Sequence, residues 1–146
     1  MTLREYVEKR NGVPIGHSSS LKNNLYRSLG AKSFTIFWNF WNPIFGYYLG
    51  KRVFKPLKIY FPASLALVLT FIFCGFLHDV VTTIIRGSIS IFFSVWFLFM
   101  AIAVMTTQYL NHDFKEKTWS VRALINVSII GFCLSLTILF NTLLFK

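Results

Sequence analysis

The sequence predicts an all-α, polytopic helical membrane protein with about three transmembrane helices, preceded by an aromatic in-plane or re-entrant segment. Three observations predict this class. The 146 residues are 55% hydrophobic and only 14% charged, too apolar for an ordinary soluble domain of this length. Charge is absent from Ile59 to Leu77, from Gly87 to Asn111 and from Ala123 to Phe145. Each stretch reaches the roughly 17 to 25 residues that a helix needs to cross a bilayer. The cations are also unevenly placed: Arg4, Lys9, Arg10, Lys22, Arg27, Lys32, Lys51, Arg52, Lys55 and Lys58 all precede the first span or lie at its edge. A net charge of +10 distributed in this way reads as a positive-inside signal and argues against nucleic-acid binding. It also attracts the N-terminal region to anionic headgroups, at about 1 kcal/mol per near-surface charge.

Residues 1–32 read as a basic cytoplasmic lead-in with at most one short helix, and residues 33–146 as the membrane domain. The first thirty residues are polar, and Val13-Pro14-Ile15 is too short for an apolar signal-peptide core, so a retained N-terminus is expected. Ser33 to Gly50 is uncharged and dense in aromatics, with Pro43 interrupting it. If that segment crossed the bilayer, Lys51, Arg52, Lys55 and Lys58 would lie opposite the basic N-terminus, against the charge bias. Phe34, Phe37, Trp38, Trp41, Phe45 and Tyr48 recur at three- and four-residue steps, as in a helix at the interfacial aromatic level. Ile36, Phe40, Ile44 and Tyr47 make the other side apolar too, which places part of the segment inside protein.

The first span is expected to open near Pro62 and run through Gly75 and His78, the second to cover about Ser88 to Thr107, and the third about Arg122 to Leu144. The loop after the second span carries Lys115, Lys117 and Arg122, whereas the loop before it has only Arg86. This alternation predicts an integral, multi-pass protein with its N-terminus in the cytoplasm and its C-terminus outside. Cys74 and Cys133 both fall within spans and are expected to be free, buried thiols.

An ionisable residue inside a membrane span is a candidate site by default, because leaving it unpaired in hydrocarbon is costly. His78 is the foremost case, since its imidazole exchanges a proton near neutral pH, as a general base must. On a helix, Phe71, Cys74 and Gly75 share its face, and Gly75 leaves room for a substrate or for a neighbouring backbone. The alternative is a helix-end histidine bonded to a carbonyl or a headgroup. Asp79 points about 100° away from His78 along the helix, so pairing with Arg86 is as plausible as any link to the histidine. Asn42, in Trp41-Asn42-Pro43, is either an amide that donates to a developing oxyanion or a turn-former before proline. His112, Asp113 and Glu116 suggest metal ligation weakly, and a solvated loop explains them. There is no phosphate-binding glycine loop, nucleophile elbow or carboxylate pair.

The stretch SFTIFWNFWNPIFGYYLGKRVFKPL, followed by TFIFCGFLHDVV, resembles the membrane-bound O-acyltransferase family, particularly its wax synthase and its sterol or diacylglycerol acyltransferase branches. The matching positions are Phe37, Trp38, Trp41 and Asn42, then Val53, Phe54, Pro56 and Leu57, then Gly75, Leu77, His78 and Asp79. The resemblance covers about Ser33 to Val81, and the order of its motifs carries more than any single one. It implies transfer of an acyl group from a thioester, usually acyl-CoA, to the hydroxyl of a lipid or another acceptor, with no bound cofactor. His78 would be the base and Asn42 would position the acceptor or stabilise the oxyanion. Trp38, Trp41, Phe71 and Gly75 would shape the substrate channel, and Lys51, Arg52 and Lys55 would meet CoA phosphates, unless they serve only as membrane-surface charge. Family members usually have several hundred residues and many more spans. A homo-oligomer or a partner membrane subunit would then complete the chamber, or the chain would be a compact relative, or a non-enzymatic remnant that binds lipid or a partner.

Overall fold

Local signals set where each helix starts and stops. In the computed structural model, which describes residues 1–144, Thr2 and Glu5 form a reciprocal capping box that opens α1 (Leu3–Asn11), and Gly12 ends it with φ of 78°. Next comes α2 (Ser20–Leu29). The lead-in thus contains two helices where at most one was expected. Ser33 caps α3 (Phe34–Phe40), its hydroxyl accepting from the Ile36 N–H at 3.3 Å. At Asn42 the chain enters the left-handed region with φ of 40°, and Pro43 opens α4 (Pro43–Leu49). Without a break α4 passes through a π-helical turn (Gly50–Phe54) into α5 (Lys55–Tyr60).

Three helices are long and apolar enough to cross a membrane: α6 (Ala63–Arg86), α7 (Phe92–Tyr109) and α8 (Trp119–Leu144). The fold is therefore all-helical among the described residues, and its composition is that of a membrane-embedded protein. The expected spans are recovered, with α6 extended to Arg86, where Gly87 at φ of 70° stops it. Phe145 and Lys146, which close the expected membrane domain, lie outside the described residues.

Packed on both α6 and α8, α7 is the middle helix. Against it α3 runs antiparallel: Phe34 and Phe37, buried to 0% and 1% exposure, cluster with Val104, while Trp38 reaches Phe97 with ring centroids 6.0 Å apart. At seven residues, α3 spans only about 10 Å, far short of a bilayer, whereas α4, the π-turn and α5 make one continuous helical run from Pro43 to Tyr60. Together α3 and α4 form a broken hairpin seated in the groove of the long helices, with Trp41 and Asn42 at its tip. The lead-in packs on this hairpin and on α8. Arg10 donates to the Asn39 carbonyl at 2.8 Å and Asn24 to that of Phe40 at 2.7 Å. From α8, the buried Asn126 amide donates to the carbonyls of Leu29 and Ala31 at 2.9 and 3.0 Å.

Candidate functional site

The helix period divides α6 into two working faces. Phe71, Cys74 and His78 face the α3–α4 hairpin, and Gly75 and Asp79 face α7. A Cβ added at Gly75 would stand 2.5 Å from the Phe93 carbonyl oxygen and 2.7 Å from the Ser94 Cα. The room that this glycine leaves is thus occupied by a neighbouring backbone, and Gly75 does not line the cavity beside it.

That cavity, of about 150 Å3, is lined by Trp38, Trp41, Asn42, Phe45, Gly46, Leu49, Thr70, Phe71, Cys74, His78 and Phe97. The structure therefore brings together five of the sequence-derived site residues: His78, Asn42, Trp38, Trp41 and Phe71. Trp38 stands edge-on to Phe71 at 5.0 Å, and Trp41 stacks on Phe37 at 5.4 Å. The basic residues Lys51, Arg52 and Lys55 are exposed on the π-helical turn and the start of α5 and do not line this cavity. Lys51 lies over Tyr47, its Nζ 3.3 Å from the phenol oxygen.

His78 is held in a defined tautomer. Its Nδ1 lies 3.0 Å from the Cys74 carbonyl oxygen, which only accepts, so Nδ1 carries the proton and Nε2 keeps a free lone pair in the neutral ring. The ring sits beside Phe93 and Phe97, with centroids 5.5 and 5.4 Å away. His78 lies well inside α6 and not at its end, so its carbonyl bond is made within the helix to the residue four earlier, and it leaves the second ring nitrogen available as a base. Asn42 likewise does two things: its Oδ1 accepts from the Phe45 N–H at 3.2 Å, capping α4, while its Nδ2 makes no hydrogen bond among the described residues. The Trp38 indole N–H is buried and also unpartnered among them.

Asp79 pairs with neither His78 nor Arg86. Its carboxylate, 3% exposed, accepts from the backbone N–H groups of Phe93 at 2.9 Å and Ser94 at 2.7 Å, capping α7 from another helix. That role is invisible in the sequence because fourteen residues separate Asp79 from Phe93. Phe97, Phe45, Leu49 and Thr70 were missed as lining residues for the same reason, whereas Cys74 was legible from its step of four before His78. No group of metal-ligating side chains occurs among the described residues, so His112, Asp113 and Glu116 do not assemble as one. Asp113 instead meets Lys32 at 3.2 Å.

Fold and cavity together define an all-helical membrane protein with an aromatic-lined pocket that presents one free imidazole nitrogen and one free amide nitrogen. Comparison of the chain with protein-family models, with curated proteins and with solved structures returns no match.

Proposed function

We propose that this protein is a membrane-embedded O-acyltransferase that moves an acyl group from a thioester, with acyl-CoA as donor, to the hydroxyl of a lipid or another acceptor. The observation that carries the reading is the convergence of Asn42 and His78 on one cavity, with His78 Nε2 and Asn42 Nδ2 both unengaged. In the reaction His78 Nε2 takes the hydroxyl proton as the acceptor oxygen attacks the thioester carbonyl. Asn42 Nδ2 donates to the oxyanion of the tetrahedral intermediate. The C–S bond then breaks, and the thiolate leaves with the proton that His78 had accepted. A cavity of about 150 Å3 accommodates the reacting groups but not two substrates, since ligand pockets usually run from about 300 to 1,000 Å3. The remaining length of each substrate lies in the adjoining hollows, one sharing Trp41 and Asn42 with the cavity and the other, almost wholly apolar, sharing Phe45 and His78.

In this reading the N-terminus is cytoplasmic, the charge bias being its support. Lys51, Arg52 and Lys55 meet CoA phosphates from that side. One observation favours a second reading, a subunit that binds lipid or a partner chain: His78 and Trp41 are both exposed on one side, so the cavity is open. The test is transfer of labelled acyl-CoA to a panel of alcohols by the purified protein in lipid nanodiscs. His78→Ala is expected to lower turnover by about 100-fold or more and Asn42→Ala by a similar factor. Turnover by His78→Ala equal to wild type removes the catalytic reading, and absence of transfer from the wild type leaves the subunit reading.

A further inference from the structure

We propose that Asp79 is a positioning residue for His78, acting through the first turn of α7; the activity part of this inference rests on the acyl-transfer reading. The first turn of any helix has N–H groups with no partner in the helix itself. In α7 the Phe92 N–H donates to the Ser90 hydroxyl at 3.2 Å, and the next two, on Phe93 and Ser94, are taken by the two oxygens of Asp79. Ile91, at the cap position, has no side-chain acceptor to offer. A carboxylate in an otherwise apolar segment is disfavoured unless it is compensated, and here the N-terminal dipole of α7 and two N–H donors compensate it.

One turn earlier on the same face of α6, Gly75 lets the Phe93 and Ser94 backbone approach to where a Cβ would clash. Asp79 and Gly75 thus clamp the start of α7 onto α6. The residues fixed by that clamp are the ones beside the imidazole: Phe93 in the capped turn and Phe97 in the next stand 5.5 and 5.4 Å from the His78 ring. They narrow the ring's choice to the rotamer in which Nδ1 donates to Cys74 and Nε2 is free. Adjacent residues on α6 therefore cooperate without touching, Asp79 setting the wall against which His78 rests. An asparagine at 79 offers one acceptor to two donors and turns an NH2 group toward one of them.

The experiment uses the full chain in lipid nanodiscs, with His17 and His112 replaced by Gln so that His78 is the one histidine. Carbethoxylation of His78 by diethyl pyrocarbonate, followed by mass spectrometry, reads the state of the ring whether or not turnover is found. Asp79→Asn is expected to raise the modification rate severalfold, and an unchanged rate in folded protein overturns the proposal. Phe93→Ala leaves the backbone cap in place and removes part of the wall, so it remains informative if Asp79→Asn does not fold. It is expected to raise the rate as well, and no change there overturns the link from α7 to the imidazole. In the transfer assay Asp79→Asn is expected to lower kcat by about 10- to 100-fold, as misplacement of a reacting group does, with KM for acyl-CoA little altered. A purely structural role predicts a lower melting temperature with kcat per folded molecule unchanged, and that result overturns the positioning role. If the wild type transfers no acyl group, the acyl-transfer reading fails while the modification rates still decide the role of Asp79.

Discussion

Two glycines on long helices separate what a residue's surroundings demand from what its backbone prefers. A Cβ at Gly75 would meet α7 backbone at 2.5 Å, and nothing beyond the adjoining helix backbone lies within 4 Å of one placed at Gly131 on α8. Alanine at an unobstructed helix interior is favoured over glycine by about 0.5–1 kcal/mol, and overpacking costs about 1–3 kcal/mol. Gly131→Ala is therefore expected to leave the melting temperature in nanodiscs equal or higher, and Gly75→Ala to lower it. A higher melting temperature for Gly75→Ala would contradict the close α6–α7 approach. The sequence offered both alternatives for Gly75, substrate or backbone, but no means of choosing, because the atoms that fill its space belong to residues in another helix. Asn42 carries a related lesson. Turn-forming and amide-donating roles look exclusive in the sequence, yet the oxygen of this side chain caps α4 and leaves its nitrogen free.

At the scale of elements, the three long helices were legible because an uncharged stretch of sufficient length has few other physical uses. The two lead-in helices were not: α1 has weak hydrophobic periodicity, and α2, although amphipathic, is short and polar and opens with no side-chain cap and no acidic residue in its first turn. The Thr2-to-Glu5 spacing followed by Gly12 was the available signal for α1. The α7–α8 loop is an exposed polar connection, and a latch holds it to the lead-in. Lys32 bonds Asp113 at 3.2 Å, and the Phe114 N–H donates to the Lys32 carbonyl at 2.7 Å. The Lys115 backbone N–H, with lesser help from the Lys32 ammonium, holds the Asp113 carboxyl below its ordinary range. A group with a depressed folded pKa contributes stability above its unfolded value, about 4 for Asp, and that contribution is lost as pH falls below it. Hydrogen exchange at the Phe114 amide, corrected for intrinsic rate, should therefore be less protected near pH 3 than at neutral pH. Asp113→Asn should remove that difference, and equal protection of the wild type at both pH values would count against the latch.

Taken whole, the molecule fixes which loops share an end. Lys32 binds the Asp113 loop, so the lead-in and the α7–α8 connection lie together. In the α6–α7 turn Gly87 ends α6 and Asp79 receives the start of α7, so these two helices run oppositely and α6 starts near the end at which α7 finishes. The segment from Ser33 to Phe61 consequently begins and ends at that same end. This suits the basic residues Lys51 to Lys58 better than a crossing does. Exposed Leu124, Phe132, Leu139 and Leu143 along α8, and Phe76, Ile84 and Ile85 along α6, are apolar surface that a bilayer covers. The sidedness is open to a direct test in sealed vesicles with a membrane-impermeant maleimide, the native Cys74 and Cys133 being buried. Single cysteines at Ser18 and Glu116 are expected to react from one side of the membrane, and a cysteine at Ser88 only from the other. Reaction of Ser88 and Glu116 positions from the same side would mean that α7 does not cross, and Asn42 could then not meet His78 from a hairpin inserted beside spanning helices.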